Sequence, residues 1–126
     1  MMAHKPVLIV EDDEDAREAL VFFLENEGYR VLEASHGEEA LHHLRNTEVC
    51  AILLDLMMPV MNGWTFRSEQ LKDPRIASIP VAVITADENA TQSTAALGIQ
   101  ELMVKPVDLR RLLDFVDRHC QGESAS

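Results

Sequence analysis

No stretch of this chain approaches the roughly 20 consecutive apolar residues that a membrane-spanning helix requires. The opening residues, Met1 to Lys5, also lack the apolar segment of a secretory signal, so a soluble, cytoplasmic protein is expected. Glycine and proline are scarce, at five each in 126 residues, which argues against a disordered or low-complexity chain. Only two cysteines occur, Cys50 within an apolar run and Cys120 near the end. Neither lies in a Cys-x-x-Cys or a Cys/His metal spacing, so Cys50 reads as core and Cys120 as incidental. Basic residues are few, 11 against 22 acids for a formal charge of -11. That balance disfavours polyanionic partners, which are held by phosphate neutralisation, and no direct nucleic-acid binding is expected.

What is abundant is apolar residue, 47% of the chain, enough for an ordinary folded core. One domain over 1–126 is expected, with its core at about 6–119 and a short polar tail at 121–126. Strand-like apolar runs alternate with helix-period segments, the order that produces a parallel sheet flanked by helices. Val7 to Val10 forms the first run, and Ala16, Leu20, Phe23 and Leu24 follow at helical spacing until Gly28, which fits a left-handed helix stop. Val31 to Ala34 reads as the second strand. Ser35-His36-Gly37-Glu38 then fits a capping box for a helix through Ala40, Leu41 and Leu44. Val49 to Leu54 is uniformly apolar, as in a strand covered on both faces. A helix capped by Asn62 follows. Val81 to Ile84 and Leu102 to Val104 make two more strands, and a last helix with Asp108 as cap carries Leu109, Leu112, Leu113 and Val116 on one stripe. Between Thr85 and Gly98 the chain is polar and poor in large apolar anchors, which predicts a short, loosely packed helix.

Polar residues fall where the apolar runs stop. Glu11, Asp12 and Asp13 follow the first run, Asp55 the third, Thr85 the fourth, and Lys105 with Pro106 the fifth. In an open parallel sheet, ligands gather outside the carboxyl ends of the strands, so these residues converge on one edge. Glu11, Asp12 and Asp55 together need a counter-charge. A hard cation such as Mg²⁺ supplies it, because it takes oxygen ligands and keeps waters that a phosphate oxygen can replace. Lys105 offers a compact ammonium and Thr85 a hydroxyl, and the set describes a site that holds a phosphoryl group against a carboxylate nucleophile, Asp55.

These stretches carry a resemblance. "VLIVEDDEDAREAL", "ILLDLMMPVMNGW", "VAVITA" and "VKPVDL", in this order, are similar to the four motifs of the receiver domain of two-component response regulators, the CheY-like, flavodoxin-like fold. The resemblance implies a five-stranded parallel sheet of order 2-1-3-4-5 flanked by five helices. It makes Glu11 and Asp12 metal-binding acids and Asp55 the residue that takes a phosphoryl group from a sensor kinase's phosphohistidine. It makes the Met57 backbone carbonyl a further metal ligand, and Thr85 and Lys105 the residues that engage the phosphoryl group. It also implies a cis peptide at Lys105-Pro106. Two departures stand out: Leu102 occupies the position where the family often has an aromatic switch residue, and the stretch from Thr85 to Gly98 is shorter than usual.

The plain readings beside these are helix-capping acids for Asp13, Glu14 and Asp15, packing for Met57, Met58, Met61 and Trp64, and surface positions for the five histidines. The function expected is a stand-alone, Mg²⁺-dependent phosphorylation switch, a phosphoacceptor rather than an enzyme apart from its own phosphorylation and dephosphorylation. Its partners would be a sensor histidine kinase or phosphotransfer protein and a downstream protein, with the chain a monomer or a phosphorylation-dependent dimer. The alternatives are a phosphorelay shuttle or phosphate sink, and a phosphorylation-independent scaffold.

Overall fold

The computed structural model describes residues 5–56, 63–86 and 98–120. The elements run β1 (Val7–Val10), α1 (Glu14–Asn26), β2 (Val31–Ala34), α2 (Gly37–Asn46), β3 (Ala51–Asp55), α3 (Gly63–Lys72), β4 (Val81–Thr85), β5 (Glu101–Val104) and α4 (Leu109–Cys120). The strands form one parallel sheet in the order β2-β1-β3-β4-β5, as the resemblance implied. Four helices stand among the described residues. The loosely packed helix expected between Thr85 and Gly98 falls at 87–97, outside them, as do Asn62, Met57 and the tail from 121.

Period-two alternation along the strands sorts the core into two layers. Leu8, Val10, Ile52, Leu54, Val81 and Val83 face one side, where Ala40, Leu41 and Leu44 of α2 and Phe66 of α3 cover them. Val7, Ile9, Ala51, Leu53, Ala82, Ile84 and Met103 face the other, under Leu20 and Leu24 of α1 and Leu112, Phe115 and Val116 of α4. The three inner strands are therefore buried at every position, whereas the edge strands β2 and β5 carry Glu33 and Glu101. Charges on strand edges suit a sheet that must not pair with another chain.

The local endings follow the sequence closely, with three corrections. Gly28 takes a φ of 95° after α1, and the Tyr29 amide returns to the Leu24 carbonyl at 3.1 Å, so the left-handed stop stands. At α2 the cap lies one residue later than the capping-box reading. His36 Nδ1 accepts from the Glu39 amide at 3.2 Å, and Glu39 reaches back to the Ser35 amide at 2.8 Å. Its hydrogen bonds with Ser35 are the larger cause holding the Glu39 carboxyl below its ordinary pKa. On α4, Asp108 caps as expected through the Arg110 amide at 2.9 Å, but Leu109 is exposed and Phe115 takes its place in the buried stripe.

The third correction concerns the cysteines. Cys50 and Cys120 form a disulfide, their Cα atoms 5.3 Å apart, because the amino end of β3 lies against the carboxyl end of α4. Local sequence holds no trace of a pairing across 70 residues. No described helix is long and apolar enough to cross a membrane.

Candidate functional site

The sheet register assembles the site before any side chain is considered. Val10 pairs with Leu54 and Asp55 with Ile84, so Glu11, one residue beyond Val10, stands level with Asp55. Thr85 lies one step further along β4 and pairs with Val104. The next residue, Lys105, extends that ladder through its amide to the Thr85 carbonyl at 2.7 Å. All four residues thus meet at the carboxyl edge of the three inner strands and β5.

Glu11, Asp12 and Asp55 each bring a carboxylate oxygen to within 4.8 Å of the others. Glu11 is 3% exposed and Asp55 6%, whereas Asp12 is open to solvent. The Lys105 ammonium lies 3.2 Å from Glu11 Oε1 and 3.9 Å from Asp55 Oδ2. Partial burial alone would lower its pKa, but the Asp55 charge, the hydrogen bond to and charge of Glu11, and the charge of Asp13 outweigh it, leaving it above the ordinary value. Thr85 is fully buried in the wall of the site. The Lys105-Pro106 peptide is cis.

Asp13 keeps its plain role. It caps α1 by accepting from the Asp15 and Ala16 amides at 3.0 and 3.3 Å, and its own amide donates to Glu11 Oε2 at 3.3 Å. Met57 lies outside the described residues. Trp64 and Leu102 both pack against the core layer beneath α2 and α3. The histidines are less idle than a surface reading allows: His36 caps α2, His43 Nε2 meets the Glu33 carbonyl at 2.9 Å, and His119 tilts over Phe115 at 4.7 Å between ring centroids.

Two supporting residues escaped the sequence reading. Arg17, on α1, donates from Nη1 to the Glu11 carbonyl at 2.9 Å and from Nε to Glu33 Oε1 at 3.1 Å. It fixes the backbone that presents the acid pair. The only sequence signal was a lone arginine a turn beyond an acidic cap. Arg67 is buried on α3, with Nη1 on Gln70 Oε1 at 2.7 Å and Nη2 on the Gly98 carbonyl at 3.0 Å. Burial lowers its pKa. Gln70 in turn donates to the Ile76 and Ile79 carbonyls at 2.8 and 3.2 Å.

Comparison with known proteins places this arrangement. The sequence pattern of the response regulator receiver domain matches residues 7–117. Protein PilH of Pseudomonas aeruginosa is 29% identical over 118 residues, which is 92% of this chain and 98% of PilH. A response regulator receiver protein from Pseudomonas putida superposes with a TM-score of 0.86 at 28% identity, covering 94% of this chain and 99% of that one. The chemotaxis protein CheY4 of Vibrio cholerae gives 0.83 at 29% identity, with the same coverage. With its sheet order, its edge of converging acids and lysine, and a family match across nearly its whole length, the chain belongs to the response regulator receiver domains of two-component signal transduction.

Proposed function

We propose that this chain is a receiver, acting in the cytoplasm, in which Asp55 accepts a phosphoryl group from the phosphohistidine of a sensor kinase or phosphotransfer protein. The observation that carries the reading is the position of Asp55: a nearly buried carboxylate at the end of a rigid inner strand, 3.9 Å from an ammonium and beside two further acids. In the transfer, the phosphorus–nitrogen bond of the donor breaks as an Asp55 oxygen bonds to phosphorus, and the imidazole departs with the electron pair. Lys105 meets the charge on the phosphoryl oxygens and Thr85 supplies a hydroxyl from the wall of the site.

Three carboxylates converging within 4.8 Å are hard oxygen donors of the kind Mg²⁺ takes, so the residues fit such an ion. Glu11, Asp12 and Asp55 would hold it, with the Met57 carbonyl as a further ligand. When bound, the ion supplies neutralisation of the negative oxygens around the transferring group. Phosphorylation then shifts an equilibrium between two conformations that a downstream protein reads. The chain acts as a phosphoacceptor rather than an enzyme on other substrates, and as a monomer or a phosphorylation-dependent dimer.

The test is intact mass after incubation with Mg²⁺ and a small-molecule phosphodonor, wild type beside Asp55→Ala. The expected result is one added phosphoryl group, absent in the variant, whose decay rate separates a lasting switch from a relay shuttle or phosphate sink. No gain in a chain that binds Mg²⁺ would refute the proposal and favour a phosphorylation-independent scaffold.

A further inference from the structure

At the end of the sheet opposite Asp55 lies a groove of about 660 Å³, within the size range of small-molecule sites. Cys50 forms part of its lining, beside Lys5, Arg45, Glu48, Arg75 and His119. Lys5 is paired with Glu48 at 3.7 Å and Arg75 with Asp73 at 2.9 Å; Arg45, which also feels the Asp73 charge, makes three cations against two acids and leaves the rim one positive charge in excess. Such a rim is unexpected on a chain of formal charge -11. The Cys50–Cys120 disulfide lies at its inner wall, with Cys50 5% exposed and Cys120 1%.

We infer that this disulfide is a thiol-exchange site, entered through the groove at Cys50 by small thiols of net negative charge. In the cytoplasmic setting proposed above, on which this inference rests, thiols are kept reduced and disulfides are characteristically redox-sensing rather than permanent; a positive rim raises the local concentration of an anionic reagent. The thiolate of the incoming thiol attacks Cys50 Sγ. A bond from its sulfur to Cys50 forms as the Cys50–Cys120 bond breaks, and Cys120 departs as a thiolate that takes up a proton. A second thiolate attacks the external sulfur of the mixed disulfide, releasing the small-molecule disulfide and the Cys50 thiolate, which is protonated in turn. Two small thiols are oxidised to one disulfide, and the protein disulfide is reduced to two thiols.

The disulfide is not the sole fastening of α4. Leu112, Phe115 and Val116 lie in the core, and the Tyr29 hydroxyl donates to Asp117 on its last turns. Reduction is therefore expected to unfasten the end of one helix without undocking it.

The experiment treats the oxidised full chain, without denaturant, with glutathione or with neutral 2-mercaptoethanol at equal thiolate concentration, then alkylates and weighs it. Both cysteines are expected to become alkylated while circular dichroism stays native. The glutathione to 2-mercaptoethanol rate ratio is expected to fall about threefold in Arg45→Glu, as loss of steering requires. A Cys120→Ser variant offered glutathione disulfide is expected to trap the mixed disulfide on Cys50. Alkylation only in denaturant, two free thiols in the air-oxidised chain, or a rate ratio indifferent to Arg45→Glu would each overturn the inference. None of these readings depends on phosphorylation at Asp55.

Discussion

Replacing Lys105 with methionine removes the ammonium between two nearly buried acids while keeping much of its stem volume. At an effective dielectric of about 20, the contacts at 3.2 Å to Glu11 and 3.9 Å to Asp55 correspond to about 5 and about 4 kcal/mol of gross attraction. Lys105 is 34% exposed, so solvent screens much of this. Exposed pairs give at most about 1 kcal/mol, and stripping the partner from a buried charge costs about 3–5 kcal/mol. A destabilisation of about 2 kcal/mol at neutral pH lies between these limits. The difference has an alkaline flank. It fades there because the raised Lys105 pKa means its contribution, complete below the ordinary lysine value, is lost as pH rises through the higher folded one. Mg²⁺ at the site proposed above would supply the missing counter-charge, so it is expected to stabilise the variant more than the wild type. Urea unfolding at pH 7 and in alkali above the ordinary lysine pKa, with and without Mg²⁺, measures these effects. Equal destabilisation at both pH values, with no differential rescue by Mg²⁺, would refute the electrostatic account and leave only lost packing.

Arg67→Met leaves the Gln70 side-chain oxygen and the Gly98 carbonyl without that donor, at about 1–3 kcal/mol each. Adding Gln70→Leu is expected to give a double variant more stable than the two single losses sum to, read by thermal unfolding. Reducing the disulfide, which spans 70 residues, is expected to lower stability by about 4 kcal/mol on the chain-entropy relation, measured by urea titration of the oxidised and reduced chains. The Glu39 carboxyl, held below its ordinary pKa, contributes stability that is present above that value and lost as pH falls through the folded one. The gap between wild type and Glu39→Gln should therefore close in acid, followed by circular dichroism.

The site was legible because each of its residues stands immediately after an apolar run, so topology alone converges them. Glu11, Asp55, Thr85 and Lys105 required only that the strands be parallel and adjacent. The pairing of Cys50 with Cys120 was not legible, since it depends on where α4 ends relative to the foot of β3. Arg67 and Gln70 were hidden for another reason. They sit in a helix, "GWTFRSEQLK", whose buried face is partly polar, and apolar periodicity cannot find a face satisfied by hydrogen bonds. The α2 cap was misplaced by one residue because imidazole did the work expected of a serine hydroxyl.

The Arg67 contact with Gly98 also bears on what holds the carboxyl edge of the sheet in register. One end of residues 87–97 departs from β4, whose Thr85 carbonyl is bonded to the Lys105 amide. The other returns at Gly98, gripped by a guanidinium from α3. Both endpoints are pinned by partners outside the intervening residues. The register of β4 and β5 at Asp55 is therefore held by bonds among the described residues themselves.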